Sequence, residues 1–443
     1  MEDRIKQLSS NNLQILFSEI LLKDRETAQQ LVKGTGILTQ QNPGEFKLKF
    51  IVNWRDSKAF EGSSSYRKFE DEEGYYYLEC TDDYGENWIL ETFGLYISIG
   101  QVQNTVLSYE TEVNRIVNIR QTEDDKTKIN LYFDLHYEFP INRINKFRIS
   151  KNGKYHRTQY LHEIKFASQL ISIHSFKNSD YWTISFEIQF YKPFIETRIL
   201  ESLQFICGQH LELLGRDVFH NKSRERVLFP RNRNFSSSKF FPPLLLSNYP
   251  ISYYDKSWKL FVAFLTYILP HEKETFSPLG TEINGAIGIG EFFYETSILV
   301  LSIRIEGILN VLYPSLGKPN KNQRNKIDTL KKYIENYHDE SLKARLLGSI
   351  NSMYSSRAKD KLLKLLKYGV INKAHFDSWS ELRNKGAHAS REKDHNWQIH
   401  LRKQHSLLIE LYYRIIFNAI GYRDVYTNFN SGDYEIIKYR RYK

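Results

Sequence analysis

The six residues Arg383-Asn384-Lys385-Gly386-Ala387-His388 put a permanent cation and a titratable imidazole five positions apart in a chain of 443 residues. A guanidinium stays charged at any biological pH and grips phosphate oxygens with a fork of N–H donors. Imidazole titrates near neutrality and so takes or gives a proton. The pair suits metal-free cleavage of an RNA phosphodiester, which needs a base for the 2′-hydroxyl, a cation for the charge gathering on the phosphorane and an acid for the departing 5′-oxygen. Asn384, donor and acceptor at once, would orient the imidazole or cap the helix carboxyl end. The plain alternative is a solvated helix charge at Arg383 and a loop histidine at His388.

Phe376, Trp379 and Leu382 recur at helical spacing just upstream, which puts Arg383 on the polar side of a short amphipathic helix predicted over 374–385. Gly386 then invites that helix to bend or stop. Residues five apart in an unbroken helix point about 140° away from each other. Arg383 and His388 therefore meet at one phosphate only if the chain breaks near Gly386 or if two chains contribute. Further upstream, Arg304 and Glu306 interrupt an otherwise apolar helix predicted over 291–313, where an unpaired charge is costly. Glu306 is thus a candidate site residue, with an ion pair within or between helices as the alternative.

The elements that must hold these residues can be read from the spacing of apolar side chains. From about Gly36 to Ile195 the period is two, as in Phe46, Leu48, Phe50, Val52 and Trp54, in Ile129, Leu131, Phe133, Leu135, Tyr137 and Phe139, and in Trp182, Ile184, Phe186, Ile188 and Phe190. An antiparallel sandwich or barrel is expected. Residues 1–33 read as a helix packed on that sheet, with Leu13, Leu16, Phe17, Ile20 and Leu21 on one face. Leu203, Ile206, His210 and Leu213 form another helical stripe, and a basic, Pro-containing connector runs from Asn221 to Pro243. Ile251 to Leu269 is read as helical and Thr275 to Gly290 as a Gly-containing loop, the flexible lead-in to a bundle of helices over 291–313, 322–337, 341–352, 357–368, 374–385 and 395–420.

Composition narrows the chemistry. A globular content of 41% hydrophobic and 26% charged residues gives room for two or three domains. Two cysteines, Cys80 and Cys207, exclude a disulfide framework or a cysteine-rich zinc site, and no metal or cofactor is expected. Met1 to Gln30 is charged throughout and the most apolar stretches are too short to span a bilayer, so a cytoplasmic protein with no membrane partner is expected. A net charge of +10 favours a polyanionic partner. The first choice of RNA-binding surface is the connector, where Arg224, Arg226, Arg231 and Arg233 alternate with Phe229 and Phe235, together with Lys385 in the motif. Lys318 to Lys332 and Arg357 to Lys367 are further basic stretches. Gly285 to Gly290 lacks the lysine of a phosphate loop. His395, His400 and His405, five residues apart, spread around a helix and are expected in solvent.

The arginine, polar residue, three variable residues and histidine at 383–388 resemble the signature of HEPN ribonucleases. The segment from Trp379 to His388, with the helix that ends in Leu411-Tyr412-Tyr413-Arg414-Ile415-Ile416-Phe417, resembles the C-terminal domain of ApeA-like HEPN anti-phage proteins over roughly 286–430. The resemblance implies an α+β multidomain chain: a β-rich N-terminal regulatory or sensor domain (1–215), a basic connector and helical linker (216–285), an all-α HEPN bundle (286–430) and a basic C-terminal tail (431–443). It also implies a bacterial abortive-infection endoribonuclease acting on RNA, tRNA above all. Two protomers would join their motifs into one composite site, restrained until infection and triggered by a phage-encoded protein. Arg383, Asn384 and His388 carry over as catalytic residues; the resemblance also implies a polar or acidic group on an earlier helix, for which Glu306 is the candidate. The rival reading is an inactive HEPN-like RNA-binding or dimerisation module beside a ligand-binding β domain.

Overall fold

The computed structural model of the chain describes residues 2–24, 30–41, 44–53, 76–91, 106–123, 127–134, 136–137, 139–140, 146–149, 155–166, 169–176, 181–188, 194–230, 239–245, 253–271, 275–291, 294–386 and 395–442. They fall into two compact units, one of residues 1–193 with 211–236 and the other of 194–210 with 237–443. The first is built on β-sheet and the second on helices, so the α+β class expected from the sequence is what the chain adopts.

Among the described residues the first unit holds one helix, α1 (Glu2–Ser9), and fourteen strands. They are β1 (Gln14–Asp24), β2 (Gln30–Gln40), β3 (Phe46–Asn53), β4 (Tyr76–Asp82), β5 (Asn87–Glu91), β6 (Val106–Val113), β7 (Arg115–Gln121), β8 (Lys128–Asp134), β9 (Lys146–Ile149), β10 (Tyr155–Phe166), β11 (Gln169–Phe176), β12 (Tyr181–Glu187), β13 (Leu213–His220) and β14 (Ser223–Leu228). All belong to one ladder in the order β6-β3-β2-β1-β4-β5-β7-β14-β13-β8-β12-β11-β10-β9. Phe46, Leu48, Phe50 and Val52 are buried while Ile51 is exposed, the alternation that period-two spacing demands. Trp54, Leu135 and Phe190 lie outside the described residues.

Two expectations give way here. The helix expected over residues 1–33 is only α1, and residues 14–24 and 30–33 are strand. Phe17 pairs with Gly36 and Ile20 with Gly34, a register shift that inserts an extra residue. This bulge turns Ile15, Phe17, Ile20 and Leu22 all towards the core and produces the three-residue step that imitates a helix. The second change concerns the connector. Residues 213–228 are a hairpin whose two-residue turn, Asn221-Lys222, has both residues at positive φ (50° and 57°), the conformation of a tight turn matched to strand twist. The hairpin fills the ladder between β7 and β8. The chain thus returns to the sheet after α2 (Ile195–Cys207), a helix of the second unit, and a single boundary at 215 does not separate the units.

The second unit packs α2 against α3 (Tyr254–Ile268), where the Phe205 and Phe264 rings stack 4.4 Å apart. The loop expected over 275–290 is α4 (Pro278–Ile287) followed by a 3-10 turn (Gly288–Glu291). Ser277 caps it by accepting from Gly280 N, with Pro278 at the first helical position, so its start signal was present in the sequence. The core is made by α5 (Tyr294–Leu312), α9 (Lys373–Gly386) and α10 (His395–Ala419), each packed on the other two. Between them run α6 (Lys321–Glu335), α7 (Glu340–Met353) and α8 (Ala358–Lys367), all within a few residues of their predicted spans. Beyond α10, β15 (Val425–Thr427) pairs with β16 (Ile436–Lys438). The basic tail expected over 431–443 is folded through its described residues, 431–442: Tyr439 is buried and Tyr442 N donates to Gly369 O at 2.6 Å.

Candidate active site

Arg383 stands on the outer side of α9, three residues before the helix ends at Gly386. Trp379 and Leu382 are buried against the core, as their spacing predicts, and Phe376 is half-buried. The guanidinium lies over the Trp379 ring at 5.5 Å, a cation–π contact. Its Nε donates to Glu306 Oε1 and its Nη2 to Glu306 Oε2 at 3.3 Å. Among the described residues this side-on fork leaves the terminal edge of the guanidinium for a phosphate. Arg383 is 53% exposed and Glu306 26%, so the pair sits where a large polyanion can reach it.

Glu306 comes from α5, so Glu306 and Arg383 form an interhelical ion pair; both the site role and the ion pair expected for Glu306 are compatible with that geometry. Arg304, two residues earlier, faces another way and donates from Nη1 to Glu282 Oε2 of α4 at 3.3 Å. Two glycines make room for this second pair. A methyl on Gly285 would strike the Arg304 guanidinium, and one on Gly307 the Glu282 carboxylate. Gly285 is thus a packing glycine within a helix, and the flexible lead-in expected there is replaced by a close α4–α5 crossing.

His388 lies outside the described residues, as do Arg231 and Arg233. Asn384 and Lys385 occupy the last turn of α9. Arg224 and Arg226, expected on a connector, lie instead on β14, with their side chains largely buried against a carboxylate of β13. Arg226 donates from Nε and Nη2 to the two oxygens of Asp217 at 2.6 and 2.7 Å, Arg224 Nη2 is 3.1 Å from Asp217, and Tyr132 OH donates to Asp217 at 2.7 Å. Burial pulls the Arg226 pKa down, but the hydrogen bonds and charge of Asp217 more than offset it and leave it raised. These arginines hold β13 and β14 together. His405 is buried, not solvated, and burial drives its pKa down to about 4. His400 Nε2 faces Glu381 at 3.3 Å.

The opposite end of α9 is fixed by residues the sequence reading passed over. Asn372 Oδ1 accepts from His375 N at 3.0 Å and His375 Nδ1 accepts from Asn372 N at 3.2 Å. The other ring nitrogen, Nε2, faces the buried Glu410 of α10 at 3.4 Å. Burial alone would raise the Glu410 pKa, yet His375, Tyr426 and Arg414 outweigh it and bring it down to about 2. Arg414 donates to Val370 O at 2.9 Å, Tyr426 OH at 2.8 Å and Arg440 O at 2.6 Å, with its guanidinium 4.1 Å from the Tyr442 ring. The available signals were Asn372 three residues before His375, a capping spacing, and Glu410 four before Arg414 in an apolar run. The network locks the start of the helix that carries Arg383.

Among the described residues no group of histidines, cysteines and carboxylates is arranged to hold a metal ion, and no helix is long and apolar enough to cross a membrane. No family model matches the chain, and neither a curated protein nor a solved structure does.

Proposed function

We propose that the chain is a metal-independent endoribonuclease of the HEPN type, acting in bacterial anti-phage defence. The observation that carries this reading is Arg383 itself: an exposed guanidinium held between Glu306 and Trp379 at the end of a core helix, with one edge left for a phosphate. In this mechanism Arg383 binds the scissile phosphate and stabilises the charge that builds on it. His388 moves the protons, and Asn384 sets its ring or the helix end. One imidazole cannot easily be base and acid in the same turnover. A two-fold pairing of chains through the α9 end supplies each group twice. Unpaired loop nucleotides, as in tRNA, allow the in-line geometry that a stacked duplex resists. The sheet unit restrains the site until a phage-encoded protein relieves it.

The purified chain is expected to cut RNA in excess EDTA and to leave a 2′,3′-cyclic phosphate, because the nucleophile is the neighbouring 2′-hydroxyl. Arg383→Ala and His388→Ala each abolish cutting with an unchanged thermal midpoint. Fragment-end mapping decides the matter. A 3′-hydroxyl product with strict magnesium dependence, or full phage protection by either variant, refutes the reading.

A further inference from the structure

α6 and α7 form a hairpin that stands out from the rest of its unit. Among the described residues each packs extensively only on the other; α6 buries no residue and α7 only Ile350. Ile327, Lys331 and Ile334 are half-buried at helical spacing and form the face of α6 that meets α7. On the flank beside that face Lys326, Leu330 and Tyr333 follow at steps of four and three, all exposed, with Tyr333 at 77%, and Tyr337 is exposed just past the end of the helix.

The charge is as lopsided as the exposure. Lys318 to Tyr337 carries six cations and two carboxylates, one of which, Asp328, accepts from the Tyr354 hydroxyl. Among the described residues none of the six cations is ion-paired. Cations of this kind follow a phosphate backbone, and tyrosine rings stack on unpaired bases whatever their sequence. A second copy of the chain is the poorer occupant, because a two-fold contact would set these cations against their own images. The root of the hairpin is also close to the candidate site along the chain. Glu306 is six residues, about 9 Å of helix axis, before α5 ends at Leu312, and residues 313–320 then lead into α6.

We propose that the α6–α7 hairpin is a binding arm for single-stranded RNA, gripping nucleotides of the strand whose phosphate sits at Arg383. This rests on the ribonuclease reading for its purpose but not for its test. The full chain carrying His388→Ala, so that RNA survives, is titrated against a short fluorescein-labelled single-stranded RNA by anisotropy over a range of salt. Tyr333→Ala should weaken binding about tenfold, the loss of one stacked base, and Tyr333→Phe should restore it. Lys326→Ala combined with Lys332→Ala should lower the slope of log affinity against log salt by about 1.4.

Parent-like affinity and slope in both variants overturn the proposal. So does a parent that self-associates in sedimentation and loses that on Tyr333→Ala with RNA affinity unchanged, which makes the flank a contact between copies. If the arm variants weaken RNA binding while the unmutated chain never cuts RNA, the arm stands and the ribonuclease reading fails; cutting with unaffected arm variants is the reverse.

Discussion

Glu306→Gln separates two effects that one carboxylate has on Arg383. The amide keeps an oxygen to accept from Arg383 Nε, so the guanidinium stays beside Trp379, while the negative charge disappears. Folding should barely notice, because an ion pair this exposed contributes about 0–1 kcal/mol. An incoming phosphate should notice more. A monoanion on the open guanidinium edge lies about 6–7 Å from the carboxylate, and with an effective dielectric of about 50 Coulomb's law gives roughly 1 kcal/mol of repulsion removed. That corresponds to RNA bound about fivefold tighter. The assay is anisotropy with labelled single-stranded RNA in the His388→Ala background, alongside a thermal melt. Glu306→Ala loses the hold as well as the charge and should gain less. Weaker RNA binding by the Gln variant, with an unchanged melt, would show that the carboxylate presents Arg383 to the phosphate instead of competing with it, and the reasoning fails.

Two further outcomes follow from buried charge. Asp217→Asn strips the counterion from Arg226 and Arg224, whose side chains are 5% and 13% exposed, and should cost the sheet unit about 3–5 kcal/mol in urea unfolding; a loss under about 1 kcal/mol contradicts the buried-pair account. His405 titrates near 6.5 when unfolded but only at about 4 in the fold. Below pH 6.5 the unfolded chain gains a proton that the folded chain refuses, so stability is full above pH 6.5 and falls as pH drops towards 4, by up to about 3 kcal/mol. Urea midpoints at neutral and mildly acidic pH should diverge in the parent and converge in His405→Leu; equal divergence in both sinks the assignment.

The helices of the second unit were legible because Trp379, Leu382 and their counterparts repeat a single period over long spans. The sheet was legible wherever alternation ran unbroken, as from Phe46 to Val52. It was hidden where a bulge at residues 18–19 shifted the phase and where Arg224 and Arg226 were read by charge alone. A run of arginines looks the same on a connector as in a strand whose Asp217 lies seven and nine residues away, because only the register brings that carboxylate opposite. Arg383 and Glu306 were both suspected from local pattern. Their meeting across two helices, and the locking of α9 through His375, Glu410 and Arg414, depend on contacts that no single stretch of sequence contains.

β7 and β8 are consecutive in the chain yet not neighbours in the sheet, because β14 and β13 sit between them. During synthesis β8 ends at residue 134 and β13 begins only at 213, an interval of about 4–16 s at ordinary translation rates. Over that interval β9 to β12 are made, and until β14 and β13 arrive β7 and β8 each keep one edge without its final partner. The hairpin must therefore wedge in late, carrying its two arginines and one aspartate as a ready-made joint. Heredity meets the same constraint. A single crossover near residue 215 does not exchange one unit whole, since it parts β13 and β14 from the strands they pair with.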